Sequence, residues 1–366
     1  MHLRNSWILV PILLLSTLTV AAGAQENFPS AVPPATAEKP KPADPKPAPA
    51  PPDPKASDPQ SQSSSGASQR SSDSGEQQKS EQDQGFVFHK EVDEVVLHAT
   101  VVDDKQRMVT NLDKSAFTVY EDGKPQTITS FRHEDIPVAM GVVIDNSGSM
   151  REKRDKVNKA AINLVRASNP QDQVFIVNFN DEYYLDQDFT GDLNKLREAL
   201  EKVETRGGTA LYDAVVASAD HLKKYGRLEK KVLFVVTDGE DNASRESLEQ
   251  AVKRLQEENG PTVYTIGLLG EERARRARKA LQLISERTGG LAFFPKTLDD
   301  VDEISSKVAH DIRNQYTLGY KPSNPKSAGG YRAIKVDAKA KGYGKLTVRT
   351  KSGYYAGQER ASASGN

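Results

Sequence analysis

The chain has 366 residues, enough for about two domains, and its 50 Lys and Arg nearly balance 51 Asp and Glu. A net charge of −1 gives no ground for general nucleic-acid binding. No residue is Cys, which excludes thiolate metal sites, thiol catalysis, disulfides and a lipidated cysteine.

The chain opens with Arg4, an apolar run from Trp7 to Val20 interrupted by Pro11 and Ser16, and then Ala22-Gly23-Ala24 before Gln25. With a basic start, an apolar middle and a small-x-small end, residues 1–24 read as a secretory signal peptide. The run is shorter than the roughly 20 residues of a spanning helix. The expected location is the periplasm or the extracellular space, with no integral membrane segment after cleavage. An uncleaved N-terminal membrane anchor is the alternative. Residues 25–85 are rich first in Pro, Ala and Lys, then in Ser, Gln, Asp and Glu. With almost no core-forming side chains, they are expected to be a disordered linker.

Order is expected from Phe86. Val95, Leu97, Ala99 and Val101 alternate with other residues, as in a half-buried strand. Phe117–Tyr120 and Thr127–Thr129 flank an Asp122-Gly123 turn, which predicts a hairpin. Residues 86–136 thus form a β piece too small to bury much alone. From Pro137 the pattern changes. Val138–Ile144, Asp172–Phe179, Lys231–Thr237, Thr262–Leu268 and Leu291–Phe294 read as strands. Residues 151–168, Leu193–Val203, Leu211–Leu222, Leu248–Leu255, Ala274–Arg287 and Val301–Ile312 read as helices. The alternation predicts an α/β, doubly wound, mostly parallel sheet over 137–312. From 313 to 356 the β pattern returns, in Tyr316–Tyr320, Ile334–Ala338 and Leu346–Val348, before a short polar tail, 357–366, expected to be disordered. The two β pieces are expected to pair into one sandwich-like module, with the α/β domain inserted between them.

Ligands of open α/β sheets sit at the carboxyl ends of the strands. Three motifs fall there: Asp145-Asn146-Ser147-Gly148-Ser149, Gly207-Gly208-Thr209-Ala210-Leu211, and Thr237-Asp238-Gly239. The donors are all oxygens, from the hydroxyls of Ser147, Ser149 and Thr209 and the carboxylates of Asp145 and Asp238. Such a set suits Mg²⁺, Mn²⁺ or Ca²⁺ and not zinc. Gly148 lets the backbone bend so that both Ser hydroxyls face one side. Neutral hydroxyls leave a divalent cation under-neutralised and ready to accept an external carboxylate. Asp241 is expected to be solvated or to cap a helix beginning near Ser244, and Asp213 to face solvent or support the Thr209 loop.

These residues resemble the metal-ion-dependent adhesion site of von Willebrand factor type A domains, with all five positions present in order. The resemblance covers about residues 137–312. The flanking Phe117–Gly123 and Gln315–Tyr320 stretches extend it to bacterial exported proteins built around such a core. It implies direct coordination of the metal, Mg²⁺ first among the candidates, by Ser147, Ser149 and Thr209, with Asp145 and Asp238 bound directly or through water. It also implies a protein partner that presents an exposed Asp or Glu.

Two other functions stay open: a structural envelope protein whose metal stabilises the fold, and a metal-assisted hydrolase. No Gly-x-Ser-x-Gly, His-Glu-x-x-His or Walker-type loop occurs, and no general base is evident near the motifs. The expectation is that the chain is not an enzyme. His221 reads as a helix-surface residue, the Arg-rich stretch Glu271–Lys279 as a solvated helix face, and the Asn242-Ala243-Ser244 sequon as incidental.

Overall fold

The computed structural model describes residues 94–270 and 274–357. The expected leader, the linker, the first residues of the β module and residues 358–366 lie outside the described residues. The first strand, β1 (Val95–Val102), buries Val95, Leu97, Ala99 and Val101 on one face. β2 (Phe117–Glu121) and β3 (Lys124–Gln126) form a tight hairpin. Asp122 and Gly123 both have positive φ, 49° and 77°, which is the backbone that a two-residue hairpin turn requires. The sequence places the return strand at Thr127–Thr129, but Lys124–Gln126 takes that role. The reason is that β4 (Ile128–Arg132) crosses to the other sheet, where Phe131 faces Leu318.

The α/β domain follows. Its elements are β5 (Val138–Asp145), α1 (Arg154–Arg166), β6 (Gln173–Phe179), β7 (Tyr183–Thr190), α2 (Leu193–Glu201) and α3 (Leu211–Tyr225). They continue with β8 (Lys230–Thr237), α4 (Leu248–Leu255), β9 (Thr262–Gly267), α5 (Ala274–Thr288), β10 (Ala292–Phe293) and α6 (Asp300–Arg313). The sheet order is β10-β9-β8-β5-β6-β7, parallel throughout except for β7, which runs back along β6. β5 lies at the centre and is buried along its whole length. Its alternate residues feed two cores. Val138, Met140, Val142 and Ile144 pack toward α1, α2 and α6, while Ala139 and Val143 pack toward α3 and α5. At Gly141 a Cβ would lie 2.4 Å from the Phe175 ring and 2.6 Å from Leu233, so the central strand is smooth there to admit an aromatic ring.

Four strands close the chain: β11 (Tyr316–Tyr320), β12 (Gly330–Ala338), β13 (Thr347–Arg349) and β14 (Gly353–Ala356). They pair with the opening strands in two antiparallel sheets, β13-β1-β11-β4 and β14-β12-β2-β3. Leu97 faces Leu318, and Val119 faces Val336. Each sheet therefore draws strands from both sides of the α/β domain, and one core, including Leu97, Val119, Leu318 and Val336, lies between them. A buried Glu121 ties that core, accepting from Tyr320 Oη at 2.6 Å, Tyr354 Oη at 3.1 Å and Arg332 at 3.1 Å.

The β module meets the α/β domain where the parallel strands begin. Arg132 bonds Glu229 just before β8, and Asp311 near the end of α6 accepts from Thr100 at 3.0 Å, Tyr264 at 2.8 Å and Arg349 at 2.9 Å. Gln256, just past α4, reaches Ser352 at 3.1 Å. Among the described residues no helix is long and apolar enough to cross a membrane.

Candidate metal centre at the strand ends

The opposite end of the sheet carries the five predicted residues. Asp145 closes β5 and is fully buried. Its Oδ1 accepts from Ser147 N at 2.7 Å, an Asx turn that folds the chain sharply out of the sheet. Its Oδ2 accepts from Thr237 Oγ1 at 2.5 Å, so the neighbouring strand end holds the second oxygen. Burial pushes the Asp145 carboxyl above its ordinary range, opposed by the bonds from Thr237 and Ser147. After the turn, Gly148–Met150 form one 3₁₀ turn, anchored by the buried Met150. Ser147 Oγ lies 3.2 Å from Ser149 Oγ, and Ser149 Oγ donates to Asp238 Oδ1 at 2.7 Å. Ser147, Ser149 and Asp238 thus form one continuous row of oxygens.

Thr209 arrives from the third loop and is buried. Two neighbouring loops hold its backbone and that of Gly208. Asp181 accepts from Gly208 N at 2.7 Å, Asn242 Oδ1 accepts from Thr209 N at 2.9 Å, and Thr209 O accepts from Asn242 N at 3.0 Å. Gly207 supplies the positive φ of 73° that the loop needs, and its carbonyl accepts from Gly148 N at 3.3 Å. A Cβ on Gly239 would stand 3.3 Å from Thr209 Oγ1, which puts this hydroxyl beside the Asp238 loop. The structure therefore brings four residues into direct or Thr237-bridged contact, and joins Thr209 to them through backbone and close packing.

Several participants have no distinctive signal in the sequence. Thr237 opens the Thr237-Asp238-Gly239 motif but is read there only as the end of an apolar strand, yet it orients Asp145. Asp181 and Asn242 position Thr209, and only the second lies near a motif. Lys153 sits in the charged run Arg151-Glu152-Lys153-Arg154, yet its ammonium contacts Asp238 Oδ2. Its neighbour Arg154 is buried behind the loop and bonds Asn178 at 3.2 Å and Leu200 O at 3.0 Å. The buried amide of Asn146 has no partner for either polar atom, an exception for so enclosed a group.

Other candidates resolve differently. α4 begins at Leu248 behind a Ser247–Gln250 capping box, so Asp241 caps no helix near Ser244. It instead accepts from Ser244 Oγ at 2.6 Å and Tyr212 N at 3.0 Å, tying its loop to the start of α3. Asp213 accepts from Arg245 N at 3.0 Å and Glu246 N at 2.9 Å and so belongs to that same brace. His221 packs against Phe189 and bonds Asp188 at 2.8 Å, flanking β7. Arg275, Arg276, Arg278 and Lys279 are exposed on α5, and Arg278 covers the Phe294 ring; Glu271 and Arg273 lie outside the described residues.

Among the described residues no three His, Asp or Glu side chains converge as metal ligands. A cation at this rim would be held by hydroxyls with two carboxylates. The donor set fits a hard divalent ion of the Mg²⁺ class, and the Lys153 ammonium against Asp238 is a stand-in cation at the same carboxylate.

The α/β domain is a doubly wound sheet with a row of oxygens at the ends of its two central strands. Residues 140–240 match the von Willebrand factor type A domain family, and the α/β domain is of that type. Similar solved structures include a point mutant of the PilB minor pilin from Streptococcus sanguinis. It is 14% identical, with 49% of this chain and 62% of that chain covered and a TM-score of 0.43. The chain thus spans less than two thirds of that pilin. The vWF domain of the type V pili tip protein Mfa5 from Porphyromonas gingivalis is 14% identical over 49% of this chain and 97% of that one, with a TM-score of 0.41. A von Willebrand factor type A protein from Catenulispora acidiphila is 13% identical over 74% of each chain, with a TM-score of 0.42. No curated protein matches the chain.

Proposed function

We propose that the chain is an exported protein-binding module that grips an acidic residue of a partner protein through a divalent cation. Ser147, Ser149 and Thr209 hold the ion directly, and Asp145 and Asp238 hold it directly or through water. Mg²⁺ is the ion of choice, with Ca²⁺ or Mn²⁺ as substitutes. The bound ion supplies an open coordination position for an anionic oxygen. The observation that carries this reading is the row Ser147–Ser149–Asp238 at the strand-end rim, backed by the buried Asp145. The three direct hydroxyl ligands neutralise none of the ion's charge, and where the carboxylates act through water the ion keeps positive charge for a partner's carboxylate. His221 lies within α3, turned to Asp188 of β7 and away from the rim loops. Export rests on the N-terminal sequence.

The test pairs metal binding with partner capture. Calorimetric titration of the purified chain with Mg²⁺ is expected to give binding that Asp145→Ala abolishes. Pull-down from the native envelope is expected to lose its partner in chelator and in Ser147→Ala or Thr209→Ala. Capture that persists unchanged in chelator turns the reading toward a structural role. Phosphoester or peptide turnover with Mg²⁺ that Asp145→Ala removes turns it toward a hydrolase.

A further inference from the structure

We propose that Lys153 is a tethered cation that competes with the divalent ion for Asp238 and so sets the metal affinity of the rim. The inference rests on the metal-binding reading above and adds a residue outside its ligand set. Three observations carry it. First, the Asp238 side chain is only 1% exposed, so its charge needs a partner within the protein. Second, both of its oxygens are engaged: Oδ1 accepts from Ser149 Oγ at 2.7 Å and Oδ2 contacts the Lys153 ammonium. Third, Lys153 is 28% exposed and sits at the head of α1, where its Nζ has a path to water.

The neighbouring groups make the competition specific. Asp145 has both oxygens occupied by Ser147 N and Thr237 Oγ1 and offers Lys153 no alternative. Arg154 is committed to Asn178 and Leu200 O on the buried side of α1, so it cannot take over at Asp238. A divalent ion that enters between Ser149 and Asp238 Oδ1 draws on the same carboxylate charge that Lys153 neutralises at Oδ2, so the ammonium loses its hold and moves to solvent. Without metal, Lys153 keeps a buried carboxylate paired. With metal, it is the group displaced. One residue thus stabilises the metal-free fold and weakens metal binding.

Those two effects have opposite signs, which separates this role from a merely structural one. In Lys153→Met the metal-free protein is expected to melt at a lower temperature, because Asp238 is left unpaired. The same variant is expected to bind Mg²⁺ about tenfold more tightly, the scale of one charge-assisted contact. Lys153→Arg keeps the charge and is expected to stay within about threefold of the wild-type affinity. The experiment is calorimetric titration of the full chain with Mg²⁺ alone, beside thermal melts in chelator. Wild-type binding with unchanged or weaker affinity in Lys153→Met overturns the competition and leaves the metal site standing. Absence of Mg²⁺ binding in both wild type and Lys153→Met overturns the metal site and the competition together.

Discussion

Thr237→Val tests whether the strand-end rim is held as described. The side chain is fully buried, and valine replaces a hydroxyl by a methyl of nearly equal size. The volume cost is therefore small, and the loss is polar. Thr237 Oγ1 donates to Asp145 Oδ2 at 2.5 Å and accepts from Gly239 N at 3.2 Å. A hydrogen bond to a charged group contributes about 1.5–3 kcal/mol, and an acceptor left buried and unmatched carries most of that cost. The expected destabilisation is about 2–3 kcal/mol. Removing the donor also raises the Asp145 carboxyl further, since the Thr237 bond is one of the forces holding it down against burial. The cost should accordingly shrink in acid, where Asp145 is protonated and the lost bond was a weaker neutral one. Urea unfolding at neutral and acid pH measures this, as a lowered midpoint at constant slope. A loss below about 0.5 kcal/mol at neutral pH, within the range of ordinary surface changes, would refute Thr237 as the support of Asp145.

Asp311→Ala should cost about 3–5 kcal/mol in chemical unfolding, because it strips Arg349 of its carboxylate and leaves Thr100 and Tyr264 without their acceptor. Mg²⁺ affinity measured on the same variant should not change, since Asp311 lies at the far end of the sheet from the rim. Burial depresses Lys230 from 10.5 to about 8, against the pull of Asp311, Asp135 and Asp172. Between about 8 and 10.5 the unfolded chain binds more protons than the folded one, so stability should rise with pH across that window and Lys230→Met should flatten the rise. Urea midpoints at about pH 8 and about pH 9.5 check both.

The sequence made the parallel sheet legible because burial on both faces leaves unbroken apolar runs, as in Val232–Val236. α4 was readable to its ends, Leu248 and Leu255. β7 was not, because an edge strand needs one neighbour only: Tyr183–Thr190 carries Asp186, Gln187 and Asp188, and Tyr183, Tyr184 and Leu185 remain exposed. β4 was misplaced for a different reason. Local turn chemistry fixes where Asp122-Gly123 turns, but only tertiary pairing with β11 decides where Ile128 goes. At the rim, residue types and spacing singled out the five oxygen donors. They could not single out Thr237, Asp181 or Lys153, whose roles come from the neighbours that folding gives them.

The architecture also fixes where the β module holds the α/β domain. The chain enters the α/β domain at β5 and leaves it from α6, and both junctions lie where the parallel strands begin. Arg132–Glu229, the Asp311 cluster and the Gln256–Ser352 bond all lie at that same end. The Asp145, Thr209 and Asp238 loops lie at the other. These contacts of the described β module lie at the end of the sheet away from the rim, so they act as a mount for the α/β domain. That separation is why loss of Asp311 and loss of Thr237 make a matched pair: the first should loosen the mount without disturbing the rim, and the second should disturb the rim with the mount intact.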